Sequence, residues 1–176
     1  MKRTTGTGPQ ETPLEGKVVG VTGAGRGIGR AIAVGMADAG ARVGCAARTA
    51  AELEETVAAI EAGGGTGLAL PTDVTDLGSV ERAMSRVERE WGGLDILFIN
   101  AGGNFSREEL DGSDPASWRE TIDVNLVGAY HCARAAVPLL KRRGAGKIIT
   151  TGSGMGHRGT TGRSAYACAK AGLWML

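Results

Sequence analysis

Tyr166 and Lys170 stand four residues apart in the segment Tyr-Ala-Cys-Ala-Lys. On a helix that spacing puts a phenol and an ammonium on one face. A free tyrosine ionises at pH ~10, too high for easy proton traffic at neutral pH. A neighbouring cation favours the phenolate and lowers that value. Such a pair can give a proton to a carbonyl oxygen or take one from an alcohol. The spacing is common in proteins, so its meaning depends on what else the chain holds.

A second chemical feature lies far upstream. Thr22-Gly23-Ala24-Gly25-Arg26-Gly27-Ile28-Gly29 joins an apolar run, Lys17 to Thr22, to an alanine-rich stretch, Ile28 to Ala39. Read as strand, turn and helix, these residues build a phosphate cradle. Glycines let the backbone turn sharply and let a pyrophosphate approach. The helix N-terminus offers free N–H groups and a partial positive charge. Gly29 lets the helix pack tightly on the strand. In that setting the glycine-rich turn points to a dinucleotide.

The end of the second strand selects between nicotinamide cofactors. Asp or Glu there holds a ribose 2′-hydroxyl, whereas Arg accommodates a 2′-phosphate. This chain has Ala47-Arg48-Thr49, and Arg26 adds a second cation. Arginine's planar fork suits phosphate, and no carboxylate is expected there to repel it. The expected cofactor is NADP, with NAD as the alternative.

Strand-like and helix-like stretches alternate along the chain and position these groups. Strands are expected over Lys17 to Thr22, Arg42 to Ala47, Thr66 to Leu70, Leu94 to Ile99 and Lys147 to Thr151. Helices are expected over Ile28 to Ala39, Ala50 to Ala62 and from Asp76 to about Trp91. In the second helix Leu53, Val57 and Ile60 share a face; in the third, Leu77, Val80, Met84 and Val87 do. Asp114 opens one long helical region with Pro115 just inside it, and a last helix begins at Ser164. Strict βα alternation implies an α/β fold: a doubly wound parallel sheet with helices on both faces, the Rossmann fold. Residues 14–176 form that domain, and residues 1–13, rich in Thr, Gly and Pro, read as a disordered lead-in.

The spacing Thr22-Gly23-x-x-x-Gly27-x-Gly29 resembles the fingerprint of the short-chain dehydrogenase/reductase family, in its non-extended branch. Other segments fit the resemblance in order. Asp73-Val74 resembles the family's adenine-contacting pair. Asn100-Ala101-Gly102 resembles its Asn-Asn-Ala-Gly motif, with Ile99 in place of the first Asn. Asn125, in Asp123-Val124-Asn125-Leu126, matches the catalytic asparagine. Ser153, thirteen residues before Tyr166, matches the catalytic serine. The resemblance implies hydride transfer between a nicotinamide and a carbonyl or carbinol carbon. Tyr166 would act as general acid or base, and Ser153 would position the substrate oxygen. Lys170 would tune Tyr166 and contact the nicotinamide ribose. Asn125 would hold a water linking Lys170 to solvent.

The resemblance covers residues 14–176 and implies a C-terminally truncated piece of a longer reading frame. The rest of the tyrosine helix, two strands and a substrate-covering loop would follow. The fifth strand would then be an exposed edge, and the isolated chain is expected to be poorly stable and nearly inactive. A dimer or tetramer through the long helices is implied for the whole protein. 3-Oxoacyl thioesters, sugars or polyols, steroids and small ketones all remain open as substrates. A non-catalytic dinucleotide-binding regulator on the same fold would not need Ser153, Tyr166 or Lys170, and a scaffold would leave the glycine-rich turn unexplained.

Composition narrows the partners. With 20 basic and 19 acidic residues the chain has a net charge of +1, which argues against nucleic acid or a membrane surface. No apolar run approaches the ~18 residues of a membrane span, and the N-terminus is not a signal peptide, so a cytoplasmic protein is expected. Cys45, Cys132 and Cys168 read as small buried hydrophobes of a reducing compartment. His131 and His157 stand apart from one another and from the cysteines, with no metal-ligand spacing, and read as surface or packing residues.

Overall fold

A computed structural model describes residues 12–176; of the expected lead-in, only Thr12 and Pro13 fall within it, both exposed, and the rest lies outside the described residues. Strands β1 (Val18–Thr22), β2 (Arg42–Ala47), β3 (Thr66–Pro71), β4 (Ile96–Ile99) and β5 (Lys147–Thr150) form one parallel sheet in the order β3-β2-β1-β4-β5. The strand order reverses between β1 and β4. Helices α1 (Gly27–Asp38), α2 (Ala50–Ala62), α3 (Leu77–Trp91), α4 (Pro115–Ile122), α5 (Gly128–Arg142) and α6 (Ser164–Met175) cover the sheet.

Alternation along β1 divides the core in two. Val18 points to one face, into a cluster with Val80, Met84 and Val87 of α3 and Cys132, Ala136 and Leu139 of α5. Val19 and Val21 point to the other, against Ala33 and Ala37 of α1 and Leu53 and Ile60 of α2. A strand buried on both faces is what a doubly wound sheet requires of its centre. β5, at one edge, is exposed along its length.

Local signals set the helix starts. The Asp76 carboxylate accepts from the Gly78 N–H at 2.9 Å, and Asp114 accepts from Ala116 and Ser117 at 3.2 and 2.9 Å. Both occupy orphan donors of a first helical turn. The region after Asp114 is helical through to Arg142, but not α-helical throughout: a π-helical turn, Asp123–Val127, separates α4 from α5. Asn125 explains it. Its side-chain Nδ2 donates to the Thr121 carbonyl at 2.8 Å, in competition with the main-chain ladder. Such π-bulges recur at functional sites.

The opposite end of the sheet is held by Asp95. Its carboxylate is 8% exposed and accepts from Val18 N–H at 2.8 Å and Arg143 at 3.0 Å, with Lys17 3.6 Å away. Burial pushes its pKa up. The Val18 and Arg143 hydrogen bonds and the two cations outweigh that and hold it below the ordinary carboxylate range. A depressed folded-state pKa contributes stability above the unfolded value of ~3.9, and that contribution is lost as pH falls through the folded value. Asp95→Ala is therefore expected to cost about 2–3 kcal/mol near neutrality. The difference from wild type shrinks at about pH 3 and below. Urea unfolding of both proteins at the two pH values checks this.

The cysteine expectation needs one correction. Cys45 and Cys132 are buried, and burial pushes each thiol up to about 12. Cys168 is exposed, because α6 turns Ala165, Ala169 and Leu173 inward instead. His131 packs with Nδ1 3.0 Å from the Val74 carbonyl, and His157 lies edge-on against Trp174.

Candidate active site

The carboxyl ends of all five strands open into one cavity of about 720 Å³. Open parallel sheets bind ligands at this end, beside the point where strand order reverses. Gly23, Gly25, Arg26, Gly27 and Ile28 form one wall. Gly23 takes φ +67°, which opens the turn. A Cβ at Gly29 would overlap the Gly23 carbonyl oxygen, so only glycine lets α1 sit this close to the turn. α1 has no side-chain cap and no acidic residue in its first turn. Its N-terminal N–H groups are therefore left without a side-chain cap, on a wall formed by Gly27 and Ile28. The buried Thr56 hydroxyl lies 3.0 Å from the Ala24 carbonyl and ties α2 to the turn.

Arg48, Thr49, Asp73 and Val74 line the adjoining wall. Asp73 is held below the usual carboxylate range. Burial works upward, but hydrogen bonds from the Thr75 hydroxyl and N–H, and the Arg48 charge, work downward more strongly. The expectation that no carboxylate stands near Arg48 is corrected. Glu52, one turn into α2, lines the same wall, and a Cβ at Gly25 would lie 2.8 Å from its Oε2.

Asn100, Ala101 and Gly102 carry the cavity across β4. Ile99 is a core residue, 3% exposed. Thr22 and Gly29 shape the site from behind and do not line it. The buried Thr22 hydroxyl accepts from the Asn100 and Ala101 N–H groups, each at 3.0 Å. The Asn100 side chain donates to the Thr22 carbonyl at 3.1 Å and accepts from the Thr151 hydroxyl at 3.2 Å. The Thr151 carbonyl in turn accepts from Lys170 Nζ at 2.8 Å. One hydrogen-bonded chain thus runs from the glycine-rich turn to Lys170.

At the far end Tyr166, Lys170 and Asn125 share the wall. Lys170 is only 4% exposed, and its Nζ lies 5.5 Å from the Tyr166 ring centre. Burial lowers its pKa. Asn125 donates to the Gly103 carbonyl at 2.6 Å, while its buried Oδ1 has no partner among the described residues. A Cβ at Gly102 would lie 2.6 Å from that oxygen and 3.7 Å from Lys170 Nζ, so Gly102, Asn125 and Lys170 converge. Ser153 is not among the lining residues. Its hydroxyl accepts from the Met155 N–H at 3.2 Å and caps a 3₁₀ turn, Gly154–Gly156. Sequence reasoning missed Glu52, Thr151, Asn104, Phe105 and Arg163 on the wall. Of these only Glu52 carried a signal, four residues after Arg48 on an expected helix.

A glycine-rich turn at a strand-order reversal, and a tyrosine–lysine pair in the same cleft, belong to a doubly wound α/β domain. Residues 17–176 match the family model described as short chain dehydrogenase, and the chain belongs to that family. It is 33% identical over 163 residues to 2,3-dihydro-2,3-dihydroxybenzoate dehydrogenase of Bacillus subtilis (strain 168), covering 93% of this chain and 62% of that protein. It is 38% identical over 161 residues to a 3-oxoacyl-[acyl-carrier-protein] reductase of Escherichia coli (strain K12), covering 91% and 64%. Among solved structures, 7α-hydroxysteroid dehydrogenase complexed with NADH and 7-oxo glycochenodeoxycholic acid superposes with a TM-score of 0.86 at 30% identity, covering 92% and 62%. The chain thus spans a little over three-fifths of each of these relatives. No helix among the described residues is long and apolar enough to cross a membrane.

Proposed function

We propose that the full-length protein is an NADP-dependent oxidoreductase acting on a carbonyl or secondary-alcohol substrate. One observation carries this reading: a single cavity runs from the glycine-rich turn to Tyr166 and Lys170. The turn fits a pyrophosphate, because Gly23, Gly25 and Gly27 present bare backbone on the cavity wall and the helix N-terminus has no side-chain cap. Gly23, Gly25, Gly27 and Ile28 would hold it, Asp73 and Val74 the adenine, and Asn100, Ala101 and Gly102 the inner edge. When bound, the cofactor supplies or accepts the hydride.

Tyr166 gives its phenolic proton to the carbonyl oxygen in reduction, or takes one from the alcohol in oxidation. The Lys170 ammonium, held by the Thr151 carbonyl beside Tyr166, would contact the nicotinamide ribose. Ser153 accepts from Met155, which leaves its own proton free to donate to the substrate oxygen. The unpartnered Asn125 Oδ1 accepts from a water that links Lys170 to solvent. The dehydrogenase and reductase relatives support the reaction class. The whole protein assembles as a dimer or tetramer and works in the cytoplasm.

The test is a cofactor-oxidation screen of the full-length protein against a 3-oxoacyl thioester, a ketose, a ketosteroid and a small ketone. Turnover of any of them supports the reading. Tight NADPH binding with no carbonyl or alcohol turned over favours a non-catalytic dinucleotide-binding regulator.

Arg26 and Arg48, both exposed on the wall, support the 2′-phosphate. Glu52 favours a second reading, NAD, because its carboxylate beside Gly25 suits ribose hydroxyls and opposes phosphate. The two readings separate by titration. On the NADP reading, Arg48→Ala weakens NADPH by about 10-fold, some 1.4 kcal/mol, and leaves NADH unchanged. Glu52→Gln then tightens NADPH. Unchanged NADPH affinity in Arg48→Ala overturns the NADP assignment.

A further inference from the structure

We propose that Arg163 is a substrate-recognition residue, and that the substrate carries an anionic group, a carboxylate or a phosphate, about one helical turn from its reacting carbon. This rests on the oxidoreductase reading and deepens it.

Arg163 is the residue at which α6 begins, three positions before Tyr166. It lines the same cavity as Tyr166, together with Asn104, Phe105 and Met155. Its side chain is half-buried rather than free in solvent. The Asn104 amide, oriented so that both ends are satisfied, accepts from the Arg163 guanidinium and donates to the Ser106 carbonyl. That contact is neutral, and it uses one of five guanidinium donors. No ion pair among the described residues includes Arg163.

Charge on the cavity wall is unevenly placed. Its two carboxylates, Glu52 and Asp73, both stand at the β2–β3 side with Arg48. At the Tyr166 end there is none. Lys170, which donates to the Thr151 carbonyl, is the cation proposed for the cofactor ribose. Glu108, Glu109 and Asp111 are close in sequence to Asn104, but they line a separate cavity of about 480 Å³ that shares no wall residue with this one. Glu108 is engaged by the Ser106 hydroxyl and the Arg107 N–H.

A half-buried guanidinium with one neutral partner is unbalanced until an anion meets it. Its planar fork pairs in two parallel hydrogen bonds with carboxylate or phosphate oxygens. Asn104 occupies one guanidinium donor, and Arg163 lines the cavity. Phe105 and Met155 add apolar surface to the same wall. A ketone seated with its oxygen at Tyr166 would place an anionic substituent at Arg163. In the reduction itself the hydride goes to the carbonyl carbon and the Tyr166 proton to its oxygen; Arg163 bonds neither.

The experiment uses the full-length enzyme with NADPH and two matched probe pairs. One is acetoacetate and its methyl ester; the other is dihydroxyacetone phosphate and dihydroxyacetone. The wild type is expected to prefer the anionic member of at least one pair by about 10-fold in kcat/KM. A preference confined to the first pair assigns a carboxylate, and one confined to the second assigns a phosphate. In Arg163→Met the preference collapses toward unity, chiefly through a raised KM for the anion. Arg163→Lys keeps the charge and retains part of the preference, which a variant that merely misfolds would not. A wild type without preference overturns the assignment, as does an Arg163→Met variant that loses equally on both members of a pair. Both results leave the oxidoreductase reading standing. A wild type that reduces none of the four, nor any ketone of the broader screen, overturns that reading instead.

Discussion

Replacing Tyr166 by phenylalanine is expected to lower kcat of the full-length enzyme by about 10²–10⁴-fold, the range general acid–base catalysis supplies. The substitution removes one oxygen and leaves the ring where it is. That ring lies 5.5 Å from Lys170 Nζ, and Lys170 is held independently by the Thr151 carbonyl. The cofactor wall is therefore undisturbed, and NADPH affinity is expected to persist. A fall in kcat with KM and cofactor affinity retained marks an interaction made in the transition state. Rapid-mixing kinetics with a saturating ketone would measure it. Full turnover in the variant would remove Tyr166 as the proton donor, whatever the cofactor chemistry.

The second large effect belongs to Gly29. Gly29→Ala would put a methyl group into the Gly23 carbonyl oxygen and 2.7 Å from Asn100 Nδ2. Neither neighbour can give way cheaply. The Gly23 carbonyl is main chain, and Asn100 ties Thr22 to Thr151. Overpacking of this kind costs about 1–3 kcal/mol, and it also displaces the turn that would hold the pyrophosphate. Stability and NADPH affinity should therefore fall together. Gly35 provides the control. It lies in the same helix with nothing within 4 Å of an added Cβ. Gly35→Ala should be neutral or stabilise by up to about 1 kcal/mol, the helix preference of alanine over glycine. Urea unfolding and NADPH titration of both variants check the pair. Equal behaviour of the two would remove close packing as the reason for glycine at position 29.

Local chemistry was readable from the chain, and non-local contact was not. The bounds of α2 and the starts of α3 and α4 follow from periodicity and from Asp76 and Asp114, whose side chains act on residues two or three positions away. The glycine-rich turn was legible for the same reason. The bond from Asn125 to the Gly103 carbonyl was not, because it joins residues twenty-two positions apart. Thr22 and Asn100 were legible as members of two motifs, but their hydrogen-bonded link to Thr151 was not. The three meet only because β1, β4 and β5 are neighbours in the sheet. Glu52 stands four residues after Arg48, but its place beside Gly25 is set by how α2 packs on the turn. Arg163 stood in a polar stretch without periodicity, and only the cavity shows that it shares a wall with Tyr166. Cys168 was expected inside because cysteine usually is, but the face of α6 that packs is set by Ala165, Ala169 and Leu173.

The central claim is that the cavity between the glycine-rich turn and Tyr166 transfers a hydride. Isotope transfer tests it most directly. The full-length protein would be incubated with NADPH deuterated at the transferable position of the nicotinamide and with a ketone it reduces or binds. The alcohol would then be examined by mass spectrometry and proton NMR. The account predicts deuterium on the carbinol carbon, on one face, with the label lost from the cofactor in equal amount. Retention of the label on cofactor that remains bound, with no labelled alcohol from any ketone in the screen, would contradict it.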